Sequence, residues 1–236
     1  MMNLICFPFA GGSAHTLLRL QPYLKDSLRL VPADPPGRGL RSGEPLLRQF
    51  KEMVTSVYRE IEPVFQNGAF ALFGHSMGAF IAAEIVKLCA TQGGRLPVKL
   101  IVGGAAGPSP SPKLMNLHHL NDREMMRALQ QLGGMVPEAA ESPEFEDLFL
   151  PILRADIEAL SVPAPRDEAA MPVPVTVLLG TQDPLTREEA PRWRADGEAT
   201  VETVHIPGGH FFVLESPAQT ADAISAALGL RNGGVY

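Results

Sequence analysis

Cysteine is scarce: only Cys6, in an apolar strand-like run, and Cys89, on an expected helix, and neither has ligand-type neighbours. Two thiols so placed exclude a disulfide framework and read as buried. No apolar run approaches the length of a bilayer span. The opening MMNLICFPFAGG has no charged leading region and too short an apolar run for a signal peptide. A cytoplasmic protein with no membrane partner is therefore expected. No block of like charge marks an interaction tail. Lys+Arg total 20 against 26 for Asp+Glu, a net charge of −6. That modest acidic balance argues against a nucleic-acid-binding surface. There is no internal repeat.

What is present is an alternation of short apolar runs with helix-length amphipathic stretches. This is the pattern of a mostly parallel sheet with helices on its faces, and 236 residues suffice for a single such domain spanning 1–236. Strands are expected at 3–8, 28–33, 69–74, 98–104, 174–180 and 200–206, and helices at 14–25, 47–66, 77–92 and 216–228. In 77–92 the apolar residues Phe80, Ile81, Ile85, Val86 and Leu88 follow helical spacing. Residues 107–168 break the alternation. They open with GPSPSPK, close with SVPAPRDEAAMPVP, and carry two expected helices near 121–132 and 144–160. The Pro-rich ends read as hinges. The insertion follows the strand at 98–104, on the end of the sheet where Ser76 is expected, and its apolar content suits a lid over an apolar guest.

The sharpest chemical signal is FALFGHSMGAFIAAEIV, residues 70–86. Gly74-His75-Ser76-Met77-Gly78 fits the G-x-S-x-G elbow, in which a strand turns abruptly into a helix and lifts the serine hydroxyl above the sheet. Side chains at the two glycine positions would collide with strand and helix. The helix beginning there aims N–H groups and a partial positive charge at developing negative charge.

A nucleophilic serine needs a base, and the base an orienting acid. Behind such an elbow the chain order is serine, then acid, then histidine. Of six histidines, only His205 and His210 come late enough. His205 lies within a strand run, where a structural role fits better. His210, in IPGGHFF, sits in a glycine-freed loop after the last strand. Asp183, in GTQDPLT, directly follows the preceding strand, with Asp156 and Asp167 as less well placed alternatives. The oxyanion hole calls for the Met77 N–H and one N–H from the loop FPFAGGSA at 7–14. Ala10 is the chosen second donor and Gly11 the alternative, with Ser13 as N-cap of the helix that follows. The adjacent His118 and His119 suit a single metal poorly, and no metal is expected.

These pieces together resemble the type II thioesterases that accompany polyketide and nonribosomal peptide synthases. The matching stretches are FPFAGGSA, PPGRGLR at 35–41, FGHSMGA at 73–79, LPILRAD at 150–156, GTQDPLT at 180–186 and IPGGHFF at 206–212. The resemblance implies an α/β-hydrolase fold with a helical lid insertion, and a triad of Ser76, Asp183 and His210. It implies hydrolytic editing, the removal of stalled acyl groups from the phosphopantetheine arm of carrier proteins. It implies no cofactor of the enzyme's own, and a monomer is expected. Arg38, Arg41, Arg123 and Arg127 are candidates for a local basic patch facing an acidic carrier. An oxygen-ester carboxylesterase or lipase, an acyltransferase, and a hydrolase fold reused for binding are the rival readings.

Overall fold

The strand core is almost wholly apolar, and such strands are stable only when both faces are covered. In the computed structural model, which describes residues 1–131, 133, 143–161, 170–186 and 192–230, the apolar runs form six parallel strands. They are β1 (Met2–Phe7), β2 (Leu28–Pro32), β3 (Phe70–His75), β4 (Leu100–Gly103), β5 (Val175–Gly180) and β6 (Val201–Ile206), in the order β2-β1-β3-β4-β5-β6. Alternate residues serve opposite faces. Ile5, Phe7, Phe70 and Leu72 pack on one side, while Leu4, Cys6, Ala71 and Phe73 pack on the other. Both cysteines are buried and unpaired.

The first face is covered by α1 (Phe50–Phe65) and α2 (Met77–Thr91). In α1 the buried residues Met53, Val54, Val57, Tyr58, Ile61 and Phe65 form one stripe toward the sheet. The second face is covered by residues Ala14–Tyr23 together with the chain's last helical stretches. Ala14–Tyr23 is a 3₁₀ helix rather than the ordinary helix expected over 14–25. Pro22 lies inside it and has no N–H to give an α-helical turn. Ser13 caps it as expected, its hydroxyl accepting the His15 N–H.

Within 107–168 the described residues form α3 (Pro112–Met115), a 3₁₀ turn (Asn116–His119), α4 (Asp122–Gln131) and α5 (Pro143–Ser161). The latter two match the expected helices closely. Leu117, Met125, Leu129, Phe149, Leu153 and Ile157 form a small core of their own, with Ala10 of the β1 loop packed against it. The closing Pro-rich stretch at 162–169, Asp167 included, lies outside the described residues. The chain's end carries α6 (Phe212–Glu215) and α7 (Pro217–Ala227). Among the described residues no helix is long and apolar enough to cross a membrane.

Strand order reverses direction at β1, whose neighbours are β2 on one side and β3 on the other. In open parallel sheets, the crevice beyond the carboxyl ends of the strands at such a reversal is where ligands bind. The loops after β1, β3, β5 and β6 all open there.

Candidate active site

Ser76 follows β3 and is the only non-glycine residue with positive φ among the described residues, at φ 54°, ψ −115°. Such strain persists only where surroundings over-determine it. Here the Ser76 N–H donates to the Gly103 carbonyl at 2.7 Å, and the flanking glycines let backbones touch. A Cβ on Gly74 would lie 2.0 Å from the Gly78 carbonyl oxygen, and one on Gly78 2.2 Å from that of Phe7. The turn is therefore closed to any larger residue at either position.

His210, on the loop after β6, reaches across to this corner. The Ser76 hydroxyl lies 3.0 Å from His210 Nε2, and Nδ1 lies 2.9 Å from Asp183 Oδ2, on the loop after β5. Asp183 is an acceptor, so the proton sits on Nδ1, leaving the Nε2 lone pair facing the serine. Asp183 is fully buried, and burial opposes its charge. Hydrogen bonds from His210, the Leu185 N–H and the Thr186 hydroxyl, with attraction to the imidazole, nevertheless hold its carboxyl below the usual range. All three side chains are nearly shut off from water, with Ser76 at 8% exposure.

Among the described residues, neither the Met77 N–H nor the Ala10 N–H has an acceptor. Gly11 differs: its N–H donates to Asp156 Oδ2 at 2.8 Å. Asp156 also takes two hydrogen bonds from Arg38, so it is committed elsewhere and does not reach His210. His205 lies on β6 with its side chain exposed, apart from the serine.

Two of the four arginines set aside for a basic patch are spent internally. Arg38 is buried on Asp156, and Arg41 pairs with Glu44 and Glu60, whereas Arg123 and Arg127 are exposed. The Arg38 mate lies 118 residues away, so no local spacing in the sequence reveals that pair.

His75 is a participant that the sequence reading passed over. It is fully buried, and its Nε2–H donates to the His210 carbonyl at 2.9 Å. Burial, reinforced by the neighbouring His210, lowers its pKa to about 3. It is thus a neutral prop under the loop that carries His210. A cavity of about 20 Å³, room for a single water, borders the triad through Gly104 and Thr186 and is lined also by Phe80, Leu114 and Leu185.

The family model for the thioesterase domain matches residues 2–228. The chain belongs to the thioesterase family. It is 32% identical to thioesterase PikA5 of Streptomyces venezuelae over 233 residues, covering 98% of this chain and 83% of that protein. It is 27% identical to the medium-chain S-acyl fatty acid synthase thioesterase of Rattus norvegicus, over 91% of this chain and 82% of the relative. Among solved structures it superposes on RedJ, the thioesterase of the prodiginine pathway in Streptomyces coelicolor, with TM-score 0.81 and 31% identity. That match covers 97% of this thioesterase and 89% of RedJ. The fold is accordingly that of the α/β-hydrolase thioesterases, with the parallel sheet expected from the sequence.

Proposed function

We propose that this thioesterase hydrolyses acyl groups from the phosphopantetheine arm of carrier proteins in polyketide or nonribosomal peptide biosynthesis, clearing stalled chains. The observation that carries the reading is the continuous Ser76–His210–Asp183 hydrogen-bond chain, set beside two backbone N–H groups with no acceptor among the described residues, in a chain whose relatives include biosynthesis thioesterases.

In the proposed mechanism His210 Nε2 takes the Ser76 proton as Oγ attacks the thioester carbonyl carbon. The Met77 and Ala10 N–H groups receive the oxyanion. Collapse expels the carrier thiol, protonated by His210. Water, deprotonated by His210, then hydrolyses the acyl-serine, and Asp183 holds the imidazole in the required tautomer throughout. Gly11 being bound to Asp156 supports Ala10 as the second donor, and the Arg38 pair on Asp156 supports Asp183 as the orienting acid. Residues 107–168 act as a lid in this reading. In this reading the insertion moves to admit the acyl chain. The enzyme acts as a cytoplasmic monomer and needs no cofactor.

The decisive experiment exposes a panel of acyl-loaded carrier proteins to the enzyme and follows them by mass spectrometry, with matched oxygen esters alongside. Loss of acyl mass from the carriers, at higher kcat/KM than for the esters, is the expected result. A clear preference for oxygen esters, or transfer of the acyl group to an added alcohol or amine instead of water, overturns it.

A further inference from the structure

One buried ion pair has no task in this mechanism. Asp156 on α5 is fully buried and Arg38 is 3% exposed. They meet through two parallel hydrogen bonds, Nη1 to Oδ2 at 2.5 Å and Nη2 to Oδ1 at 2.6 Å. Such a pair adds little net stability over well-packed apolar residues of similar volume. Folding alone is a weak reason for it to be there.

The third donor to the same carboxylate is the Gly11 N–H. Residues 9–12 form a turn closed by the Gly12 N–H on the Phe9 carbonyl at 3.0 Å. Gly11 has φ +77°, while Ala10 is not among the positive-φ residues, so the turn is type II. Types I and II differ by a half-rotation of the central peptide, here the one joining Ala10 to Gly11. The N–H of that peptide is what Asp156 holds. Phe149 lies seven residues before Asp156, two helical turns along the same face of α5. Its ring packs so closely on Gly11 that a Cβ there would come within 2.4 Å of Cε2. One face of α5 thus grips the turn twice, once by a carboxylate and once by a ring.

We infer that Asp156, fixed by Arg38, is a positioning residue that locks the oxyanion turn and makes a complete hole conditional on α5 being seated. This rests on the proposed role of the Ala10 N–H. The Phe9 carbonyl and Ala10 N–H share one planar peptide and point oppositely, so closing the turn on the carbonyl directs that N–H out of it. Displacing α5 to admit an acyl group withdraws both the Asp156 carboxylate and the Phe149 ring from Gly11, so the whole 9–12 turn, and the Phe9–Ala10 peptide with it, loses its anchor. Hydrolysis then waits until α5 reseats on the bound substrate.

The test is the double variant Arg38→Met/Asp156→Leu, which leaves no lone buried charge, alongside Asp156→Asn. Three readouts are taken: kcat and KM on an acyl thioester, affinity for a trifluoromethyl ketone that forms a tetrahedral oxyanion on Ser76, and the Gly11 amide proton shift. For the double variant kcat falls about 10²-fold or more while KM stays within about threefold, as for loss of an oxyanion donor. Ketone affinity falls by the same factor as kcat/KM, because both report the oxyanion. The Gly11 amide proton moves upfield on losing its carboxylate. A role confined to folding lowers the melting temperature and the active fraction but leaves ketone affinity per active site unchanged. A folded double variant with kcat and ketone affinity within about twofold of the parent overturns the inference. If that variant does not fold, Asp156→Asn decides: a drop of about tenfold in both supports the inference, and unchanged values overturn it. A parent enzyme that leaves acyl-carrier thioesters intact defeats the substrate reading alone, since the ketone arm requires only Ser76 and the hole.

Discussion

The two proposed oxyanion donors are held in place by opposite means. Met77 stands at the start of α2, where Gly74, Gly78 and the Phe7 carbonyl leave no space for anything but backbone. Ala10 stands in a turn whose grip comes from side chains of α5, a helix of the insertion. Backbone against backbone has no alternative packing, whereas a carboxylate and a ring can be withdrawn and returned. Under the proposed assignment, the nucleophile is held permanently strained and ready while half of the hole answers to a helix of the insertion.

The largest effect belongs to the rigid side. Ser76→Ala is expected to lower kcat by about 10⁶ if the triad acts as a unit. The φ of 54° belongs to the turn and not to the hydroxyl, so the melting temperature should change little. Steady-state kinetics beside calorimetry check both, and retention of most activity refutes the assignment. Next comes Asp183→Asn, expected to cost about 10⁴ in kcat, because an amide donating to Nδ1 traps the wrong imidazole tautomer. An effect under about tenfold would mean that another group orients His210.

Glycine substitutions set the two sides directly against each other. Gly78→Ala places a methyl 2.2 Å from the Phe7 carbonyl oxygen, where neither backbone can retreat. A loss of about 3 kcal/mol or more is expected, at the upper end of overpacking costs. Gly11→Ala meets the Phe149 ring, which can turn aside, and otherwise suffers the left-handed conformation at about 1–2 kcal/mol. Urea unfolding should therefore rank Gly78→Ala well below Gly11→Ala in stability. Both should lower kcat per folded molecule, Gly78→Ala by forcing the elbow off the Phe7 and Pro8 carbonyls and Gly11→Ala by disturbing the oxyanion turn. Equal stability losses would remove the distinction between the two sides.

The rigid side was also the legible one. The elbow shows in sequence because the steric demand at Gly74 and Gly78 admits a single residue type; chain order then leaves His205 and His210, and the strand placement of His205 singles out His210. Asp183 follows from its place after β5. The movable side was not legible. Gly11 and Asp156 are 145 residues apart, and nothing local to LPILRAD says that its aspartate will meet a backbone N–H rather than solvent or His210. Arg38 reads as surface charge in the sequence because burial of a guanidinium depends entirely on a partner supplied by tertiary packing. The 3₁₀ form of Ala14–Tyr23 was hidden for a related reason: its apolar spacing is helical, and only Pro22 hints that the α ladder fails.

The smallest effect concerns His75, which props the His210 loop from the rigid side through its 2.9 Å bond to the His210 carbonyl. Its folded pKa is about 3, far below the roughly 6.5 of an unfolded histidine. Below pH 6.5 the unfolded chain therefore takes up a proton that the native chain refuses, and stability falls with falling pH. The slope approaches about 1.4 kcal/mol per pH unit, giving a loss of about 2 kcal/mol between pH 7 and pH 5. Asp183 acts in a separate window. Its carboxyl is held below the usual range, so its contribution is present above pH 4 and disappears only at lower pH. The pH 7 to 5 interval thus separates His75 from Asp183, and comparison with a His75 variant cancels the groups common to both proteins. His75→Gln retains an N–H donor for the carbonyl but cannot titrate, so its unfolding free energy should fall less steeply across that interval, by about 2 kcal/mol in total. Parallel curves for parent and variant would mean that the native protein accepts the proton on His75, and the support beneath His210 would then be a charged group rather than a neutral one.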